Sequence, residues 1–221
     1  MLHHTFITKS HDLSGLFSEV NLMSTLMRRI QQQAQLDPLR YDVNDYMGDA
    51  FEFFVELFLK INNTDNRVRV YDYTPVPSHE DTGVDGIGIN GRKEKCVVQV
   101  KFRGNVDSLL TANEDHLSNL VSSGMIKYKV VTDESINTQP KSKKNYRHFV
   151  FTTAKSLHFY TDEEMFEGTV YCFGIDKFRE MVDNNPIFWD RCREIVAQLD
   201  PKLQIIFNPP PPEPGLVPIT V

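Results

Sequence analysis

The sequence predicts an α/β fold in which a mixed β-sheet core is flanked by helices. Three observations carry that expectation: an apolar run of helix length near residue 50, three short strand-like runs between 68 and 102, and a return to strand and then helix patterns after 148. Over 221 residues, apolar side chains make up 40% and charged ones 24%, the proportions of a globular chain rather than a disordered one. No apolar run reaches the roughly 18 residues a membrane helix needs, so no membrane partner is expected. The start Met1-Leu2-His3-His4-Thr5 lacks the basic and apolar stretches of a secretory signal, and the expected location is the cytoplasm. Cys96, Cys172 and Cys192 are odd in number and widely spaced, which excludes a disulfide framework and CxxC metal spacing.

The elements follow in order. Residues 1–40 read as an N-terminal helical arm with one helix at 15–35 and no assigned chemistry. Residues 41–200 form the main domain. Gly48–Lys60, GDAFEFFVELFLK, is apolar almost all round and leaves Glu52, Glu56 and Lys60 on one line, the pattern of a buried helix with a single polar stripe. Val68–Tyr73 alternates as a strand does; Asp85–Ile89 and Cys96–Phe102 read as two more strands joined by the turn signal Asn90-Gly91. A helix is expected within 113–122, strands at His148–Thr153 and Thr169–Phe173, and helices at Ile175–Val182 and Phe188–Leu199. Residues 201–221, with the run Asn208-Pro-Pro-Pro-Pro-Glu-Pro-Gly, read as an extended proline-rich tail or linker.

Polar residues on the expected core strand need a reason. In CVVQVKF the strand period sets Gln99 and Lys101 on one face and Cys96, Val98 and Val100 on the other, while Asp85 stands fourteen residues upstream between glycines in Gly83-Val-Asp-Gly-Ile-Gly. Four stretches in this order, Gly48-Asp-Ala-Phe-Glu52, Thr82-Gly-Val-Asp85-Gly-Ile-Gly, Gln99-Val-Lys101 and Phe149-Val-Phe-Thr-Thr153, resemble the motifs of the PD-(D/E)xK nuclease superfamily, and within it those of Mrr-like restriction endonucleases with the QxK variant. The resemblance covers roughly residues 45–185.

What the resemblance implies is a restriction-endonuclease-like fold and a metal-dependent endonuclease that hydrolyses DNA phosphodiester bonds. It implies that Glu52 and Asp85 bind Mg²⁺, with Mn²⁺ able to substitute, that Gln99 holds a ligand position usually acidic, and that Lys101 orients or activates the attacking water. Gln99 leaves one carboxylate fewer, so metal affinity falls heavily on Asp85, with the Val100 carbonyl as a further ligand. The chemistry suits hard oxygen donors. DNA is the expected partner; a homodimer, and a motor or helicase domain joined through the tail, are the other partners this reading admits. The alternative is a non-cleaving nucleic-acid-binding or interaction module that retains the fold.

Blander readings stand beside these. Glu52 and Glu56 also suit the exposed edge of a buried helix, with Glu56 and Lys60 an i,i+4 pair worth ~0.2–0.5 kcal/mol. Asp85 also suits a turn, and Gln99 and Lys101 a solvated sheet face. His79, Glu80 and Asp81 read as loop residues. Net charge is −6, yet residues 91–155 hold 12 Lys and Arg against 6 Asp and Glu. Within that segment Arg103, Lys141, Lys143, Lys144 and Arg147 are the candidate DNA contacts, and a solvated loop explains the same charges.

The Asn90-Gly91 turn decides whether Asp85 reaches the Gln99 face. A two-residue hairpin pairing Ile89 with Arg92 sets Asp85 opposite Cys96, turned away from Gln99 and Lys101. A three-residue loop Asn90-Gly91-Arg92 pairs Ile89 with Lys93 and sets Asp85 opposite Val97, with Gln99 a diagonal neighbour about 7–8 Å away. A three-residue turn with a glycine bulge at Gly91, or an equivalent bulge between Asp85 and Cys96, is therefore expected.

Overall fold

Fifteen phenylalanines and a single tryptophan set the character of the core. The structure is a computed structural model that describes residues 13–36, 42–77, 83–131, 139–140 and 144–199. Its helices are α1 (Leu13–Phe17), α2 (Met23–Ala34), α3 (Val43–Ile61), α4 (Leu117–Ile126), α5 (Ile175–Val182) and α6 (Pro186–Ala197). Its strands are β1 (Tyr71–Pro75), β2 (Gly86–Ile89), β3 (Lys95–Lys101), β4 (Leu109–Leu110), β5 (His148–Thr152), β6 (Ser156–Leu157) and β7 (Val170–Phe173).

Helix α3 is the central element. Asp42 caps it, its side chain accepting from the N–H groups of Asn44 and Asp45, with Asp45 in the first turn and Lys60 in the last to complement the helix dipole. Phe51, Phe53, Phe54, Val55, Leu57 and Phe58 are buried on every side because α3 lies between the sheet and a second layer of helices. Phe53 meets Phe17 of α1 edge-on, Phe54 stacks on Trp189 of α6, and Phe58 meets Phe178 of α5 at 4.9 Å between centroids. The polar stripe is only partly exposed: Lys60 faces solvent, whereas Glu56 is buried, which excludes the exposed i,i+4 pair.

The helix expected at 15–35 is two helices. Glu19 adopts φ 55, a left-handed conformation that ends α1, and the link to α2 is tied down elsewhere. Met23 N donates to Asp183 Oδ1 at 2.7 Å, and Arg193 donates to the Val20 carbonyl. Leu16, Phe17, Leu26 and Ile30 are buried in the same apolar cluster as α3, so the described part of the N-terminal arm contributes to the main core.

Five strands form one mixed sheet in the order β1-β2-β3-β5-β7, antiparallel as far as β3 and parallel beyond it. This is the mixed sheet flanked by helices that the sequence predicts. Cys96, Val98, Val100, Phe149, Phe151 and Phe173 face the α3 layer; Val97, Val150 and Val170 face α4 and a smaller core with Leu117 and Leu120. The short parallel pair β4-β6 and a π-helical turn at Tyr160–Met165 had no clear sequence signal.

Strand β1 begins three residues later than the alternation suggests. Arg69 at φ 61 interrupts the extended run, although Val68 and Val70 are buried as expected. Asp72 at φ 49 then inserts one extra residue, so Tyr71 pairs with Ile89 but Thr74 with Ile87.

The β2–β3 hairpin keeps the predicted parity with a different turn. Ile89 pairs with Lys95, not Lys93, and Asn90 closes against Glu94 through its N–H, leaving the three-residue loop Gly91-Arg92-Lys93, one position later than expected. Lys93, not Gly91, takes the left-handed conformation, at φ 62. The displacement has a cause in Asn90. Its Oδ1 accepts from the N–H groups of both Arg92 and Glu94 and its Nδ2 donates to the Tyr146 carbonyl, so the asparagine anchors the loop from the last ladder position instead of lying within it.

Candidate active site

The site forms where β2 stops and β3 continues. Gly86 is the last residue of β2 paired with β3, opposite Val98, and Asp85 beside it leaves the ladder, held against the Val98–Val100 stretch of β3. Asp85 Oδ2 accepts a 2.6 Å hydrogen bond from Val100 N–H, taking the place a backbone carbonyl would hold had β2 continued. Its own N–H reaches the Val98 carbonyl and its carbonyl accepts from Val76 N–H, so the aspartate is fixed by backbone on both sides. In a ladder the N–H and C=O of one residue point to the same neighbour, so the Val100 carbonyl faces the same edge.

Gln99 and Lys101 share the opposite face from Val100, in line with strand period. Gln99 is buried, 1% exposed, and its Oε1 has no hydrogen-bond partner. An orphaned buried acceptor costs about 1–3 kcal/mol unless something supplies a positive charge or a donor. Lys101 is half-buried beside it. Two threonines at the end of β5, Thr152 within it and Thr153 just past it, hold this end of β3 in place: Thr152 Oγ1 donates to the Lys101 carbonyl at 2.8 Å, and Thr153 Oγ1 both accepts from Arg103 N–H and donates to the Arg103 carbonyl.

Glu52 enters from α3. Its position is read through Tyr73, whose hydroxyl donates to the Asp85 carbonyl oxygen at 3.3 Å. Burial pushes the Tyr73 phenol well above its ordinary range, and the carboxylates of Glu52, Asp85 and Glu56 push it further, so all three acids lie within electrostatic reach of this phenol. Gly86 makes room for it: a Cβ there would stand 2.1 Å from a Tyr73 ring carbon.

Asp85, Gln99, Val100 and Lys101 thus gather at one end of the sheet, with Glu52 of α3 and Asp85 both within electrostatic reach of Tyr73. Sequence reasoning missed Tyr73, and it placed Glu56 on the polar stripe of α3 without a role at the site. Glu56 was legible as the residue one turn beyond Glu52; Tyr73 was not, because the Asp72 bulge aims it. The donors that could hold a cation are carboxylate, amide and carbonyl oxygens, a set suited to Mg²⁺ or Mn²⁺, and the unpartnered Gln99 Oε1 fits such a role. Among the described residues no three His, Cys, Asp or Glu side chains are grouped closely enough to hold a metal by themselves.

Of the expected DNA-contacting cations, the three among the described residues are engaged within the fold. Arg103 forms an ion pair with the buried Asp115 and also donates to the Phe102 carbonyl. Arg147 pairs with Glu94. Burial pushes the Glu94 carboxyl up, but hydrogen bonds from Asn145 and Asn90 and the Arg147 charge hold it below its ordinary value. Lys144 is buried, its Nζ donating to the Gly168 carbonyl at 3.0 Å, which corrects its assignment to a solvent-facing loop. Lys141, Lys143, His79, Glu80, Asp81 and the proline-rich tail lie outside the described residues.

Comparison with known proteins finds no family model that matches this chain and no curated protein that resembles it. One solved structure, MspJI restriction endonuclease in complex with a 27-mer oligonucleotide, shares 14% sequence identity at a TM-score of 0.37. The likeness covers 78% of this chain and 36% of that one, so the chain spans about a third of the length of the structure it matches, and it is too slight to assign an activity. No helix among the described residues is long and apolar enough to cross a membrane.

Proposed function

We propose that the chain is a metal-dependent endonuclease hydrolysing DNA phosphodiester bonds, of the Mrr-like restriction type. The observation that carries this reading is the buried Gln99 Oε1 without a hydrogen-bond partner, on the strand face it shares with Lys101 and next in sequence to the Val100 whose N–H holds Asp85. Asp85, Gln99, the Val100 carbonyl and Glu52 would hold Mg²⁺, which supplies positive charge against the charge that builds on the phosphate. In the reaction a water oxygen bonds to phosphorus in line with the departing sugar oxygen, whose bond to phosphorus breaks; the water gives up a proton to solvent and the departing oxygen takes one from solvent. The Lys101 ammonium orients that water and stabilises the transition-state charge. Tyr73 and the threonines at the end of β5 keep Asp85 and Lys101 in register.

A second reading, a nucleic-acid-binding module that does not cleave, is favoured by the neutral Gln99 and by the lack of a three-acid cluster among the described residues. Plasmid incubated with the purified chain and Mg²⁺ or Mn²⁺, beside Lys101→Ala and Asp85→Ala, separates the two. Cleavage lost by at least about a hundredfold in both variants, with unchanged melting, supports the nuclease. Equal cutting by Lys101→Ala sinks it.

A further inference from the structure

A cavity of about 570 Å³ opens at the other end of the sheet from the candidate active site. It lies beside the hairpin loop Gly91-Arg92-Lys93, and from Glu94 to Val100 along β3 the separation is roughly 20 Å. Its volume falls in the range of pockets that hold small molecules. The wall carries more cations than acids in a chain of net charge −6: Arg67, Arg69, Arg92, Lys144 and Lys177 line it against one carboxylate, Glu180, although Arg67 is itself paired with Asp65 and stands 3.8 Å from Glu180, and Lys144 and Lys177 donate to the Gly168 and Cys172 carbonyls. The cations are laid over rings. The Arg69 guanidinium sits 4.8 Å from the Tyr171 centroid and 5.7 Å from that of Tyr146, and Lys177 Nζ stands 4.1 Å from the Tyr171 centroid.

This arrangement points to an anion. A guanidinium stacked by its flat face still donates through its N–H edge, and that edge matches the oxygens of a phosphate. Arg69 is held at φ 61, a left-handed conformation that costs a non-glycine residue of order 1–3 kcal/mol and so marks a side chain the fold places deliberately. A phosphate alone would leave most of the volume empty. Tyr71, half-buried on β1, adds a ring that carries none of these cation contacts among the described residues, and a planar base has a π-face to lay on it.

We propose that this cavity binds a nucleotide unit, its phosphate against Arg69 and Arg92 and its base against Tyr71. The unit is either one residue of a nucleic-acid strand or a free nucleoside monophosphate. The site goes beyond the nuclease reading and does not depend on it, since it shares no residue with the Asp85–Lys101 end.

The test is calorimetric titration of the full chain in EDTA with each deoxynucleoside 5′-monophosphate, beside thymidine, inorganic phosphate and a single-stranded oligonucleotide. At least one monophosphate or the oligonucleotide is expected to bind below about 1 mM, with thymidine and inorganic phosphate each weaker by about tenfold or more. Arg92→Glu, at an exposed loop position, should weaken binding at least about tenfold with unchanged melting, while Tyr71→Leu should weaken nucleotide but not inorganic phosphate. Binding at this cavity is kept separate from the fate of the nuclease site by the monophosphates titrated in EDTA: their affinity should fall in Arg92→Glu whatever the outcome of the plasmid assay. Tighter binding of the oligonucleotide than of any monophosphate identifies the strand as the source; the reverse identifies the free nucleotide. Absence of saturable binding, equal affinity for inorganic phosphate, or an Arg92→Glu variant within twofold of the parent overturns the proposal.

Discussion

Gly86 and Tyr73 act as one unit at the residue scale. Because a Cβ at position 86 would enter the tyrosine ring, Gly86→Ala forces Tyr73 off the end of β2 and with it the hydroxyl that holds the Asp85 carbonyl. The expected cost is about 1–3 kcal/mol, the range for overpacking a filled site, together with loss of plasmid cleavage; urea titration and the cleavage assay check the two effects separately. A variant as stable and as active as the parent would show that Tyr73 does not position Asp85. His148 makes a pH prediction. It is fully buried against Gly124, and burial, reinforced by the Arg147 charge, lowers its imidazole from 6.5 to about 4. The folded state therefore excludes a proton that the unfolded chain binds, so this contribution to stability is complete above pH 6.5 and is lost as pH falls from 6.5 towards 4. The loss amounts to about 3 kcal/mol at 1.4 kcal/mol per unit. His148→Gln should flatten the pH dependence of the unfolding free energy in this window relative to the parent; parallel curves would mean that His148 is not the titrating group.

At the scale of elements, the β2–β3 hairpin shows how a turn sets a site at the far end of its strands. Both the expected and the observed loops contain three residues, and that odd number fixes the face of every residue from Ile89 back to Gly86, since a one-residue slip would reverse every side chain; Asp85 then leaves the ladder and meets β3 through the Val98 carbonyl and the Val100 N–H. The observed loop stores strain in Lys93, which the Asn90 bonds offset. Lys93→Gly should raise stability by about 1 kcal/mol through relief of the left-handed conformation. Asn90→Ala should lower it by at least about 2 kcal/mol, because it deletes the acceptor for two N–H groups and the donor to the Tyr146 carbonyl. If thermal melts moved both variants in the same direction, the loop geometry described here would be wrong. Helix α3 makes a related point. Its Glu56 is buried within electrostatic reach of Tyr73 on β1, a neighbour that no pattern within 48–60 could announce.

Across the whole molecule, charge is the quantity that folding redistributes most. The 12 basic residues of 91–155 form a positive block in sequence, yet Arg103, Arg147 and Lys144 are engaged by Asp115, Glu94 and the Gly168 carbonyl. Lys95, Lys127 and Lys129 are exposed, and the first two lie over Tyr128 at 5.5 and 5.4 Å, drawing positive charge to the C-terminal end of α4. If DNA is the partner, Lys127→Glu with Lys129→Glu should weaken binding on every sequence alike and reduce the slope of log K against log salt by about 2. Lys144→Glu should instead unfold the chain, because it sets a carboxylate facing the Gly168 carbonyl in a buried site. Unchanged salt dependence in the Lys127/Lys129 variant would remove this end of α4 from the DNA surface.

The sequence alone determined what depends on local chemistry. Period two placed Gln99 and Lys101 on one face, apolar content made α3 a buried helix, and parity required an odd loop after Ile89; each is set by neighbours a few positions away, where the backbone permits only a small menu of geometries. Motif order also singled out Asp85, whose carboxylate the fold does bring to β3. Only the tertiary structure decided what depends on partners distant in sequence. That Asp115 would engage Arg103, that Gly168 would engage Lys144, and that Tyr73 would lie over Gly86 within electrostatic reach of three carboxylates are outcomes of packing. So is the cationic cavity, assembled from β1, the hairpin loop, β5, β7 and α5. The physical reason is the same in each case: pairing energy and burial depend on which surfaces meet, and a chain read in one dimension records the surfaces without recording their meeting.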